Sequence, residues 1–207
     1  MSRIIDIRRY VDPTDIPTLV LVDLQQEYTA SPRALAVPQA AQALEHCREA
    51  LAHARRMGFP VAFVRSTGQS PLFNAATRFS RWIEGFEPWG SDMIFERSKP
   101  SCYASPPFGE VMEFSSGNFV LAGFAGEAAC LATAIDAFSR GHRFTFLADA
   151  SASHRLDEVG SNDVHQVVTK VIELYGDVLG TKTWISATSR TRRQRRVTHG
   201  GEHGYTA

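Results

Sequence analysis

The sequence predicts an α/β protein: a doubly wound, mainly parallel sheet of about six strands with helices on both faces, in a Rossmann-like three-layer arrangement. Three observations predict it. Short apolar runs rich in β-branched and aromatic residues recur along the chain. They hardly alternate with polar residues, as expected of strands whose two faces are both covered. Stretches of helical spacing lie between them, the rhythm of repeated strand–helix–strand crossovers.

The runs at 18–22, 61–64, 93–95, 119–122 and 144–147 are the expected strands, with a possible sixth at 182–186. Between the first two, Ala41, Leu44, Cys47, Leu51 and Ala54 fall at helical spacing within 38–57. Gly58 and Pro60 end that helix, and Cys47 belongs to its buried face. A second helix is expected over 127–140, stopped by Gly141, and a third over 164–174, stopped by Gly176. The segment 67–92 departs from this rhythm and carries Phe73, Phe79, Trp82, Phe86 and Trp89 among glycines, prolines and charges. A short helix plus loop is expected there, acting as a substrate lid, an oligomer interface or a satellite core.

One domain over residues 1–187 accommodates these elements. The remainder, 188–207, holds five arginines between Arg190 and Arg196 and almost no apolar residues, and reads as a basic, disordered tail. Over the whole chain 22 basic residues balance 22 acidic ones, so no net field attracts nucleic acid or anionic lipid. A small-molecule partner is expected, with neither nucleic acid nor membrane. No run approaches the ~20 apolar residues of a bilayer span, and the opening MSRIIDIRRYVDPTD has no signal-like core, so the expected location is the cytoplasm. Cys47, Cys102 and Cys130 lack metal-ligand spacing, which leaves a reactive thiol open. Gly123-Phe124-Ala125-Gly126 does not have the glycine spacing of a dinucleotide loop, so no cofactor is expected.

In open α/β sheets the working groups gather beyond the carboxyl ends of the strands. The first run ends in Asp23, the third leads into Lys99, and the fourth turns into a helix that begins near Cys130. Each has an ordinary alternative: a loop cap for Asp23, a solvated ammonium for Lys99, a small buried hydrophobe for Cys130. The first turn of a helix, however, sets backbone N–H dipoles beside the sulfur and favours thiolate.

The segment AGFAGEAACLATAIDAFSRGHRFTFLADA, in which Cys130 is followed by Thr133-Ala134, Asp136-Ala137 and Gly141, resembles the nucleophile helix of the isochorismatase-like cysteine hydrolases. LVLVDLQQEY is similar to that family's first-strand signature, and Lys99-Pro-Ser-Cys-Tyr-Ala-Ser to its lysine loop. The resemblance covers residues 17–186 and implies a triad. Asp23 takes the thiol proton, Lys99 stabilises the charges, and Cys130 attacks a carbonyl carbon to give a thioester. The backbone N–H groups of Ala129 and Cys130 are the expected oxyanion hole. The family also commonly carries a non-proline cis peptide before this helix, expected here at Ala125-Gly126 or their neighbours.

The metal-binding relatives carry Asp-x-His after the second strand, where this chain reads Val64-Arg65-Ser66-Thr67-Gly68, so no metal is expected. His46, His53, His142 and His165 read as surface or helix-end residues. Tyr28 and Tyr103 are either pocket walls or core, Gln25 bonds either substrate or the loop holding Asp23, and Cys102 lies near the site or is structural. The leading expectation is hydrolysis of a small amide, carbamoyl or ureide bond. An isochorismate-type enol-ether hydrolase, favoured by the one-residue-longer spacing from Gly123 to Cys130, and a silent binding protein using the Phe73 to Trp89 segment are the alternatives. The resemblance further implies a homodimer or homotetramer.

Overall fold

The computed structural model describes residues 16–68 and 71–189. Six strands form one sheet: β1 (Thr18–Val22), β2 (Val61–Ser66), β3 (Met93–Arg97), β4 (Asn118–Gly123), β5 (Arg143–Ser151) and β6 (Asp177–Leu179). Their order is β3-β2-β1-β4-β5-β6, and every neighbouring pair is parallel. Parallel neighbours need crossovers: α1 (Ala40–Met57) joins β1 to β2, α3 (Leu131–Ser139) joins β4 to β5 and α4 (Ser161–Ile172) joins β5 to β6, while α2 (Pro106–Phe114) leads from β3 across to β4 and the segment from β2 to β3 carries a 3₁₀ turn. A further helix, α5, spans 181–189.

Period-two alternation divides the core into two layers. Leu19, Leu21, Val61, Phe63, Val120 and Ala122 face α1 and the Trp184 side chain of α5. Val20, Val22, Ala62, Val64, Phe119 and Leu121 face Phe108 and Met112 of α2, Ala134 and Ala137 of α3, and Val164 and Val168 of α4. The central strands β1 and β4 are buried on both faces, hence their unbroken apolar runs in the sequence. The three-layer doubly wound sheet is the one expected.

Three elements differ from expectation. Residues 182–186 are helical, within α5, and the sixth strand is Asp177–Leu179. The cause is tertiary: the Asp149 carboxylate, at the end of β5, accepts the Thr181 N–H (2.8 Å) and hydroxyl (2.7 Å) and so caps a helix that its own sequence marks poorly. This helix also runs two residues into the segment read as tail, whose remainder lies outside the described residues. The helix expected over 127–140 is a π turn, Gly126–Cys130, continued by α3.

Among its described residues the aromatic segment contains a single short helix, a 3₁₀ turn at Arg78–Ser80. Phe86 is fully buried, Trp82 packs on Phe63 and Phe73 on Tyr28, whereas Trp89 is exposed beneath the Arg55 guanidinium. His53 is buried against Trp184 rather than surface-lying, and its ring bonds Thr188 Oγ1 at 2.7 Å. Cys47 faces the core as expected, with its thiol on the Ala150 carbonyl.

Candidate active site

Strand order reverses direction between β1 and β4, so the crevice beyond their carboxyl ends is the switch point of the sheet. Two backbone features aim the chain into it. Asp23, directly after β1, has φ +50°, a left-handed conformation that aspartate tolerates better than most residues. Gly123, which closes β4 opposite Val22, has φ +115°, and a Cβ there would lie 2.1 Å from the Val22 carbonyl oxygen. Only glycine lets the chain cross the end of β1 so closely. The next peptide, Phe124–Ala125, is cis, adjoining the position expected from the sequence. The π turn then delivers Cys130.

Asp23 is wholly buried. Its Oδ2 accepts from Tyr28 Oη (3.2 Å), Ser66 Oγ (3.0 Å) and Arg97 Nη2, while Oδ1 has no partner. Burial raises the Asp23 pKa, and the Arg97 charge and the hydroxyls of Ser66 and Tyr28 act against that rise. The cation on Asp23 is therefore Arg97, not Lys99. In β3 Phe95 and Arg97 point inward and Glu96 outward, and Lys99 lies beyond the strand, exposed, with its carbonyl accepting from Arg97 Nη1 at 2.6 Å. The structure sets Asp23 within electrostatic reach of Cys130 and leaves the Lys99 side chain exposed.

Cys130 is also wholly buried. Its sulfur neighbours the Gly123 carbonyl oxygen (3.6 Å) and Ser151 Oγ (3.8 Å). Burial drives the thiol pKa up, the Ser151 hydroxyl opposes this, and the charges of Asp23 and Glu127 add to the rise. That burial works against the thiolate expected from a helix start. Cys130 ends a π turn instead of opening a free helix, and its N–H donates to the Ala125 carbonyl (3.2 Å). Of the expected oxyanion donors, Cys130 N–H thus reaches an oxyanion only by giving up or sharing that bond. Ala129 stands buried beside it.

Glu127, in the same turn, meets His154 Nδ1 at 2.6 Å, and His154 Nε2 lies 3.0 Å from the Leu35 carbonyl oxygen. An ionised carboxylate and a carbonyl can only accept, so both imidazole nitrogens donate and the ring is an imidazolium. The bond to Glu127 raises the His154 pKa, and the bond from His154 lowers that of Glu127 against its burial.

The other sequence candidates divide. Tyr28 is at the site, its hydroxyl on Asp23 and its ring between Phe73, Phe124 and His154. Gln25 is spent on structure: its side chain bonds Ser66 N–H and the carbonyls of Ser66 and Ser80, fastening the segment after β2. Tyr103 is elsewhere, with its hydroxyl on His142 Nδ1 (2.7 Å) at the amino end of β5. Cys102 is buried near the site; burial raises its pKa to about 11, while Arg97 lowers it. Arg97, Ser66 and Ser151 were not singled out in the sequence, although the inward position of Arg97 follows from strand alternation. Among the described residues no group of three or more His, Cys, Asp or Glu is placed to hold a metal ion.

Fold and site together define a doubly wound α/β protein with a buried thiol and a buried carboxylate at its switch point. The isochorismatase domain family matches residues 17–191, and the chain belongs to that family. Among solved structures it is similar to an isochorismatase from Pseudomonas putida KT2440, with 24% identity and TM-score 0.76 over 82% of this chain and 90% of the other. A cysteine hydrolase from Pseudomonas syringae pv. phaseolicola 1448A matches with 17% identity and TM-score 0.79, over 87% and 95%. N-carbamoylsarcosine amidase from Thermoplasma acidophilum matches with 23% identity and TM-score 0.64, over 80% and 96%. No protein of curated function matches in sequence.

Proposed function

We propose that the protein hydrolyses the C–N bond of a small amide, carbamoyl or ureide compound through a thioester on Cys130. The observation that carries this reading is the unshared Asp23 Oδ1, buried beside a buried thiol while Oδ2 is saturated by three donors. A carboxylate oxygen with no partner is a ready proton acceptor. Asp23 takes the Cys130 proton, sulfur attacks the carbonyl carbon, and the same proton then goes to the departing nitrogen. Arg97 fills the cationic role that the resemblance gave to Lys99. A guanidinium stays charged throughout, so the shuttled proton belongs to Asp23. The likeness to an amidase acting on a carbamoyl compound supports this substrate class.

One observation favours a second reading. Burial raises both Asp23 and Cys130, which suits an aspartic acid that protonates an enol ether while the thiol stays idle. A panel of amides, carbamoyl compounds and ureides, with isochorismate added, separates the two. Ammonia release that Cys130→Ala abolishes supports the thioester. Isochorismate turnover that survives Cys130→Ala but not Asp23→Asn supports the enol-ether reading.

A further inference from the structure

We propose that the hydrolytic water reaches the thioester through a polar cleft above β5 and is received there by Ser151, an inference that rests on Cys130 being the nucleophile. Cys130 and Asp23 are both without solvent exposure, yet a thioester must admit one water per turnover. Among the described residues the sulfur has two hydrogen-bonding neighbours, the Gly123 carbonyl and Ser151 Oγ. Ser151 also lines a cleft of about 140 Å³ between the start of α1, the end of β5 and the start of α4. It therefore has the sulfur on one side and the cleft on the other.

The hydroxyl is oriented for this role. Ser151 Oγ donates to the Gly123 carbonyl oxygen at 2.7 Å, and a carbonyl can only accept, so the serine hydrogen is committed; once the sulfur is acylated and has no hydrogen to offer it, the serine lone pairs are open. A water entering from the cleft donates one hydrogen to Ser151 and turns its oxygen toward the acyl carbon on sulfur. The cleft suits water. Gln39, Gln42, Asp149, Ser153 and Asn162 supply donors and acceptors, and Ala43, Ala148 and Ala152 keep the lining small. A polar space of this size holds several waters of ~30 Å³ each. In this arrangement the acyl group lies toward Asp23, Tyr28 and Phe73, which meet through the Tyr28 hydroxyl and ring. In the step itself the water oxygen bonds to the acyl carbon and the carbon–sulfur bond breaks. The water proton ends on sulfur, giving a carboxylic acid and the free thiol.

The test uses 4-nitrophenyl acetate as an acylating probe, following nitrophenolate in the first turnovers and acetyl-enzyme by intact mass. Wild type is expected to give a burst, absent in Cys130→Ala, followed by slower turnover. Ser151→Ala is expected to keep the burst and to slow the later phase about tenfold, the effect of one lost hydrogen bond to the attacking water, with acetyl-enzyme accumulating. Gln42→Trp, an exposed change at the cleft mouth, is expected to do the same without touching the site. Wild-type turnover in both variants, or a burst lost along with turnover in Ser151→Ala, overturns the water route and leaves the nucleophile standing. A wild-type enzyme without a Cys130-dependent burst overturns the thioester reading itself, and this inference with it.

Discussion

At Asp23 the two carboxylate oxygens have opposite surroundings, one saturated and one bare, and the difference depends on Arg97. With Arg97 gone, a buried carboxylate has lost the one counter-charge it has among the described residues, a defect of about 3–5 kcal/mol at neutral pH. Arg97→Met is expected to lose stability on that scale in urea unfolding, whereas Lys99→Ala stays within about 0.5 kcal/mol of wild type, as usual for an exposed side chain. The direction of the Asp23 shift adds a pH signature. Its folded pKa is raised above the unfolded value, so folding favours the acid form, and that advantage is lost as pH rises through the folded pKa. Without the opposing arginine the folded pKa rises further, so the gap between Arg97→Met and wild type widens from acid to neutral pH. Asp23 and Cys130 were legible in the sequence because each stands next to an apolar strand that fixes its place. Lys99 was singled out by its place after the third run and by the likeness of its segment to the family's lysine loop, while the inward phase of Phe95 and Arg97 in β3 sets the arginine on Asp23.

The π turn is the element on which the thiol depends, and the Glu127–His154 pair fastens it to the Leu35 segment. The folded pKa of His154 is raised, so its contribution is complete below the unfolded value near ~6.5 and disappears as pH climbs through the folded one. The folded pKa of Glu127 is lowered, so its contribution is complete above the unfolded value near ~4.3 and disappears as pH falls through the folded one. The pair is whole between those limits. Glu127→Gln is therefore expected to lower Tm most between about pH 5 and pH 6.5 and to converge on wild type at either extreme. A Tm difference constant from pH 4 to pH 9 would contradict the pairing. Elements buried on both faces, such as β1 and β4, were readable because their apolar runs admit few other structures. Residues 182–186 were not, because the Asp149 cap on Thr181 comes from 32 positions earlier in the chain. The short α2, with prolines in its first turn and Gly109 within it, offers little periodicity.

Across the whole molecule the two helical layers are finished differently. Phe114 at the end of α2 is 92% exposed, Phe138 in α3 56%, Val167 in α4 62% and Leu174 just after it 75%. Arg140 beside Glu113 (3.7 Å) links the ends of α2 and α3, and the Phe138–Tyr175 contact (5.5 Å) links α3 to the end of α4, so these side chains belong to one helical layer. Together they present on the order of 500 Å² of apolar surface, against the ~800 Å² per partner of a stable interface. Glu113, Arg140, Lys170 and Glu173 at the rim supply further area and carry two charges of each sign. Such a rim neither repels a second copy nor selects an acidic or basic partner, and a two-fold axis through the face would set unlike charges against each other. We propose that this face, and not the packed Phe73 to Trp89 segment, joins two copies of the chain. Light scattering at micromolar concentration is expected to give a dimer or a multiple of one, and Phe138→Glu combined with Val167→Glu to give a monomer of unchanged far-UV circular dichroism. Association that survives both charges would move the contact to another face, and a monomeric wild type would leave about 500 Å² of apolar surface in water with no partner to cover it.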